Sequence, residues 1–454
     1  MSEVLTRPSA SASRPGATRL RRILMTAGTA ALLLAAIAAP GARAALPTPE
    51  QDPFYAYQGT TPLADIAPGT VLKTRTLSYH VLGIPLPVRA IQLLYRTEGE
   101  TGIPEVNVTS VLEPPLSTGT PEVIAYQSFY DSLNTEDDPS YAISGDVALS
   151  GAIPQVESAL FGPELLAGNA IVIADTEGET ADFAAGPEYG INTLNSLRAA
   201  LSSPATGLSQ TAKIGLLGYS GGAIATEWAA ELAPSYAPDV NRRIAGAAFG
   251  GVLADPAHNL HYVDGSLVWA GVIPMSIIGV SRAFHIDLTP YLSEYGLELY
   301  NKLQKASITE VLGMYPGLTW ARLAKPRYST PESIPLYVET VNKLIMGTGG
   351  TPTVPLLIAQ GADGLLEGTN GSQPGIGPGD GVMIAGDVRT LAREYCERGV
   401  AVDYNEYPLL AHIETATPWV TGAIGWLSER FAGRPAPEDC SGIAPGNPLT
   451  PIEP

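Results

Sequence analysis

The chain has 454 residues, 45% hydrophobic and 16% charged, with 45 Asp and Glu against 26 Lys and Arg for a formal charge of −19. That is the composition of a folded globular chain long enough to bury a large core. Acidity of this degree excludes a nucleic-acid partner and disfavours electrostatic docking on anionic lipid.

Residues 1–44 read as an export signal. Arg14, Arg19, Arg21 and Arg22 form a basic start, Ile23–Ala39 is an apolar run, and Ala42-Arg43-Ala44 is a small-residue cleavage site. An uncleaved anchor is the competing reading. The signal carries six Arg and one Glu, so its removal leaves the mature chain at −24. Export makes Cys396 and Cys440 a disulfide candidate, with two buried thiols as the alternative.

Ala45–Pro68 is Pro-rich and aromatic, as expected for an arm laid over the surface. Val71–Val81, Val88–Thr97 and Val106–Leu112 are β-rich runs separated by Gly and Pro and predict antiparallel strands at one edge. Pro121–Ser128 predicts another strand, followed by a loop carrying Tyr130-Asp131-Ser132, and Asp138–Leu160 a partly helical stretch. Asn169–Asp175 is continuously apolar, as a strand covered on both faces should be. Gly186–Ser203 predicts a helix. Ile244–Gly250 predicts a central strand.

After Gly251 the alternation of strands and helices stops for about 100 residues. Within this excursion Val268–Val280 is apolar but interrupted by Gly271, Pro274 and Gly279, so bends are expected rather than one helix. Tyr291–Met314 and Pro331–Met346 have helical spacing. Thr353–Gln360 and Val400–Tyr407 predict the last strands, Gly386–Arg398 and Ala416–Phe431 the last helices, and a Pro/Gly-rich tail follows. The whole predicts an α/β fold, a mostly parallel sheet with helices on both faces and an insertion above the strand ends.

Gly218-Tyr219-Ser220-Gly221-Gly222 lies between the apolar run Ile214–Leu217 and an Ala-rich helical pattern. A sharp strand-to-helix turn needs Gly neighbours for close backbone approach, and it lifts the Ser hydroxyl to a helix N-terminus where developing negative charge is favoured. Ser220 is the candidate nucleophile. In the order Ser, acid, His, the only His on a loop after a returning strand is His412. For the acid, Asp363 directly follows the strand ending at Gln360; Glu367 is its substitute, Asp403 lies inside a strand and Asp387 opens a helix. The N–H groups of Gly221 and Asp131 are the candidate oxyanion donors; an Asx turn without catalytic part is the alternative for Asp131. His258 and His261 form an H-x-x-H on a loop, without a third ligand nearby to make a metal site.

The Gly218–Gly222 elbow, Tyr130-Asp131-Ser132, Asp175 with Glu177-Gly178, Gly361-Ala362-Asp363 and His412 together resemble the secretory lipase family, α/β-hydrolases of the lipase-A type, from about Asp52 onward. The resemblance implies a triad of Ser220, Asp363 and His412, an oxyanion hole of Asp131 and Gly221, and a helical cap or lid. It also implies hydrolysis of acylglycerols and other carboxylic esters without a cofactor, in places at a lipid–water interface. The expected organisation is a signal over 1–44, core over 45–250, cap over 251–350, and core plus tail over 351–454. Val272, Ile273 and Ile277 are expected to line an acyl tunnel, with a permanently packed cap as the alternative. Two other activities stay open: an esterase for short or acetyl esters, and a non-catalytic lipid binder of the same fold.

Overall fold

The computed structural model describes residues 46–116 and 119–453; the expected export signal falls outside them. Residues 47–454 pack as one unit. Its frame is a sheet of β1 (Val71–Val81), β2 (Ile84–Glu98), β3 (Pro104–Leu112), β4 (Val123–Gln127), β5 (Ala170–Ala174), β6 (Ile214–Tyr219), β7 (Ile244–Gly250), β8 (Leu356–Gly361) and β9 (Val402–Tyr407). The spatial order is β1-β2-β3-β5-β4-β6-β7-β8-β9. β1, β2, β3 and β5 pair antiparallel. From β5 through β4 to β9 every pairing is parallel. The central strands are buried along their whole length, which is why their sequences are continuous apolar runs.

Helices Gly186–Ser202, Gly221–Tyr236 and Ala385–Glu397 cover one face through Leu194, Ile224, Ala229 and Leu391. Helices Ser158–Ala167 and His412–Phe431 cover the other through Phe161, Leu165, Trp419 and Leu427. The strand order brings β4 directly beside β6, so the loop after β4 lies next to the turn after β6.

Between β7 and β8 the chain forms helices around a separate apolar cluster that includes Trp269, Ile273, Ile278, Val311 and Trp320. The expected bends at Gly271, Pro274 and Gly279 are not there. Val272–Ala283 is one continuous helix, with Gly271 at its N-cap and Pro274 in its first turn, where a missing N–H costs nothing. Gly279 serves packing: a Cβ there would stand 2.2 Å from the Phe183 carbonyl oxygen. Tyr291–Met314 divides into helices Glu294–Lys302 and Ile308–Val311. Cys396 and Cys440 are joined in a disulfide. The tail beyond it runs along the helix Ala385–Glu397, where the Ile443 carbonyl accepts from Arg393. It then reaches the insertion, where Ile452 and Asn342 exchange two hydrogen bonds.

Candidate active site

The turn from β6 into the helix Gly221–Tyr236 holds Ser220 at φ 53° and ψ −123°, a conformation that a non-Gly residue adopts only under constraint from its surroundings. Two glycines make it possible. A Cβ on Gly218 would stand 2.0 Å from the Gly222 carbonyl oxygen, and one on Gly222 2.1 Å from the Gln127 carbonyl oxygen. The Ser220 N–H is anchored to the Gly250 carbonyl at 2.9 Å.

Ser220 Oγ lies 2.8 Å from His412 Nε2, and His412 Nδ1 lies 2.8 Å from Asp380 Oδ2. His412 opens the last helix, with its N–H on the Asp380 carbonyl and its own carbonyl accepting from the Tyr219 hydroxyl. Its ring packs edge-on to Trp269 and against Tyr219. Burial pushes the imidazolium down, but Asp380, with Glu367 and Asp131 behind it, outweighs burial and leaves the His412 pKa raised.

Asp363, the expected orienting acid, makes no hydrogen bond to His412; its N–H donates to the Leu410 carbonyl, and it stands just before a short 3₁₀ turn without a side-chain bond to it. Asp380 takes that place from the loop 362–384. Its Oδ1 accepts from the N–H groups of Val382 and Met383, and its Oδ2 from Gln360 as well as His412. Fully buried and bonded on both oxygens, it can hold the ring in one tautomer. Glu367 stands nearby, accepting from Trp269 Nε1 and the Ile413 N–H. Asp403 and Asp387 lie elsewhere: Asp403 on β9, and Asp387 paired with His258 at 3.2 Å.

Gly221 opens the helix, so its N–H has no intrahelical acceptor. Asp131 sits opposite, at φ 40°, with its carboxyl so close that a Cβ on Gly221 would stand 1.8 Å from Oδ1. Burial raises the Asp131 pKa to about 7, against the pull of His412. His258 and His261 lie on the helix Pro256–Val263 rather than a loop, and bond separately to Asp387 and Glu332. Among the described residues no cluster of three metal-ligating side chains occurs.

Val272, Ile273 and Ile277 line an apolar pocket together with Leu253, Leu260 and Leu344. Leu253 follows closely on Gly251, where a Cβ would stand 2.6 Å from His412 Cε1.

A family model described as "Secretory lipase" matches residues 145–439. A Mycobacterium tuberculosis protein named "Probable inactive lipase" is 31% identical over 402 residues, spanning 85% of this chain and 83% of its own. Lipase 1 of Candida albicans is 31% identical over 368 residues, 77% of this chain and 73% of that one. The structure of Candida antarctica lipase A in its closed state superposes with a TM-score of 0.75 over 90% of this chain and 92% of that one, at 24% identity. That likeness carries the fold.

Proposed function

Since the chain belongs to the secretory lipase family, we propose that it is an exported serine ester hydrolase of acylglycerols, with Ser220 as nucleophile, His412 as base and Asp380 as the acid that orients it. The observation that carries this reading is the unbroken line of 2.8 Å contacts from Ser220 Oγ through His412 to Asp380. His412 takes the hydroxyl proton as Ser220 attacks the ester carbonyl. The N–H groups of Gly221 and Asp131 receive the oxyanion. His412 then protonates the departing alcohol, an acyl-enzyme remains on Ser220, and water activated by His412 releases the acid. The chemistry requires no cofactor.

The apolar lining of the pocket at Val272, Ile273 and Ile277 suits a hydrocarbon chain, which is the feature that favours acyl esters longer than acetyl. The surroundings of His412 support work at a lipid–water interface. Leu267, Leu365, Leu366, Leu409 and Ile413 are exposed there, Leu409 by 79%. Hydrogen bonds draw their segments together: Leu267 to Gly368, Ala362 and Asp363 to Leu410, and Ile413 to Glu367. A patch of this kind on an acidic protein suits uncharged lipid. Secretion follows the family's description and the signal read over residues 1–44.

The relative named inactive makes turnover the property to measure. Hydrolysis of p-nitrophenyl esters from acetyl to palmitoyl, with covalent labelling by a fluorophosphonate, is expected in the wild type and lost in Ser220→Ala. Absence of both turnover and labelling in the wild type would leave a non-catalytic lipid binder. Turnover confined to acetyl esters would leave a short-chain esterase.

A further inference from the structure

Asp131 can donate its N–H toward Ser220 only if a strained loop keeps one orientation. At φ 40° its backbone lies in the left-handed region, which a non-Gly residue leaves unless neighbours hold it. The peptide unit that follows Asp131 is held at both ends. Its carbonyl, Asp131 O, accepts from the Ile308 N–H at 2.8 Å. Its N–H, that of Ser132, is received by both carboxyl oxygens of Glu177, at 3.2 and 3.0 Å.

Glu177 also holds the other flank. Its backbone N–H donates to the Tyr130 hydroxyl at 2.9 Å. The carboxyl is itself fixed, because the Tyr189 hydroxyl donates to Oε1 at 3.0 Å while accepting from the Ala184 N–H at 2.8 Å. Glu177 is 1% exposed, and neither Ser220 nor His412 is among its hydrogen-bond partners. A buried carboxyl facing another, that of Asp131, is costly to keep. Its bonds to the Ser132 N–H and the Tyr130 hydroxyl fall on the two residues either side of the candidate oxyanion donor.

We propose that Glu177 is a positioning residue for the oxyanion hole: by gripping the Ser132 N–H and the Tyr130 hydroxyl it sets the direction of the Asp131 N–H. The inference rests on the ester-hydrolase reading. Loss of one oxyanion donor costs about 10²–10³-fold in kcat, and a misplacement of about 1 Å about 10²-fold. Truncation of the brace should therefore lower kcat and leave ground-state binding alone.

Steady-state kinetics on p-nitrophenyl butyrate test it. Glu177→Ala is expected to lower kcat by about 10- to 100-fold with KM within about threefold. It should weaken a trifluoromethyl ketone inhibitor, whose adduct carries an oxyanion, by the same factor. Glu177→Gln keeps one oxygen that can accept from both the Ser132 N–H and the Tyr189 hydroxyl, as Oε1 now does, and is expected to recover most of kcat. If Glu177→Ala does not fold, Tyr189→Phe decides: it frees one side of the carboxyl and should lower kcat in the same pattern, by less. A folded Glu177→Ala with kcat within twofold of wild type overturns the proposal. So does an unchanged kcat in Tyr189→Phe, or a loss with inhibitor affinity intact. A wild type without Ser220-dependent turnover overturns the hydrolase reading itself, and does so before any Glu177 variant is made.

Discussion

Asp380→Asn should reduce kcat by about 10³–10⁴-fold, since the amide would misorient the imidazole that Asp380 Oδ2 contacts at 2.8 Å. Asp363→Asn should stay within about threefold of wild type; comparable losses in both would remove the assignment. Ser220 announces itself because the turn that presents it needs glycines at fixed offsets, and His412 because it follows the last strand on a short loop. The carboxylate bonded to His412 Nδ1 has no such frame. The order Ser, acid, His points directly after β8, where Asp363 stands, whereas the structure carries the chain through the irregular loop 362–384 before Asp380 meets His412. The signal available was Asp380 between Gly379 and Gly381, the latter at φ 124°, but many loops contain such a triplet. Asp131 carries a second residue-level consequence. Its carboxyl, which burial raises to a pKa of about 7, stands beside Gly221, so in the proposed mechanism it would face the oxyanion. It is neutral below that pH and a repelling anion above it, while His412 must lose its proton to act as base. Asp131→Asn keeps the backbone donor, so the variant should hold its kcat/KM at pH 9 relative to pH 7 better than wild type. It should also move the acid limb down, because the Asp131 charge helps raise the His412 pKa. Superimposable pH profiles would count against both effects.

The strands were legible to within a few residues because burial on both faces leaves a composition of its own, and the edge strands because Gly and Pro bound them. The insertion was not. Glycines that read as bends in Val268–Val280 prove to be points of close approach, which only a packing partner can reveal. The insertion is also fastened to the site. Ala306 accepts from the Leu133 N–H, Ile308 donates to Asp131, and the Arg282 guanidinium binds the carbonyls of Leu133, Thr180 and Ala181. Swinging this part away as a rigid lid would dismantle the loop that carries Asp131. The helix Val272–Ala283 is better suited to lining a fixed pocket, and its identity there is testable by bulk. Ile273→Trp or Ile277→Trp should cut turnover of palmitoyl esters by about tenfold or more while acetyl esters change little. A narrowed pocket obstructs the long chain and leaves Ser220 and His412 in place. Equal losses on both esters, at unchanged thermal stability, would make the insertion structural cover alone.

Across the whole molecule the acidity noted from composition is partly internal. Burial pushes Glu100 up to about 8, Glu105, Glu157 and Asp175 to about 7, and Glu177, Glu188 and Glu227 well above the ordinary carboxyl range. These groups form specific contacts: Glu100 and Glu188 each accept the other's backbone N–H at 2.9 Å. Glu227 and Glu231 share the Tyr395 hydroxyl, and Glu231 also ties down the N–H groups of Gly347, Gly349 and Gly350 at the end of the insertion. In the unfolded chain such carboxyls release their protons near pH 4. The folded chain therefore binds more protons than the unfolded one between about pH 4 and pH 8, and its stability must fall as pH rises through that interval. His258, whose pKa is raised by Asp387, acts in the same direction: its contribution is complete below its unfolded value of about 6.5 and is lost as pH rises through the folded one. Carboxyls held low, such as Glu332 by its bond to His261 and Asp239 by Arg198, act the opposite way and set the acid limit as pH drops through their folded pKa values. The protein should thus be most stable in mildly acidic solution. Urea midpoints measured from pH 5 to pH 8.5 at fixed ionic strength should decline monotonically, and Glu227→Gln, which removes one of these protons while keeping an acceptor for Tyr395, should make the decline shallower. Midpoints that climb toward pH 8 would mean that the buried carboxyls are not protonated in the folded protein, and an unchanged slope in Glu227→Gln would remove Glu227 from the set.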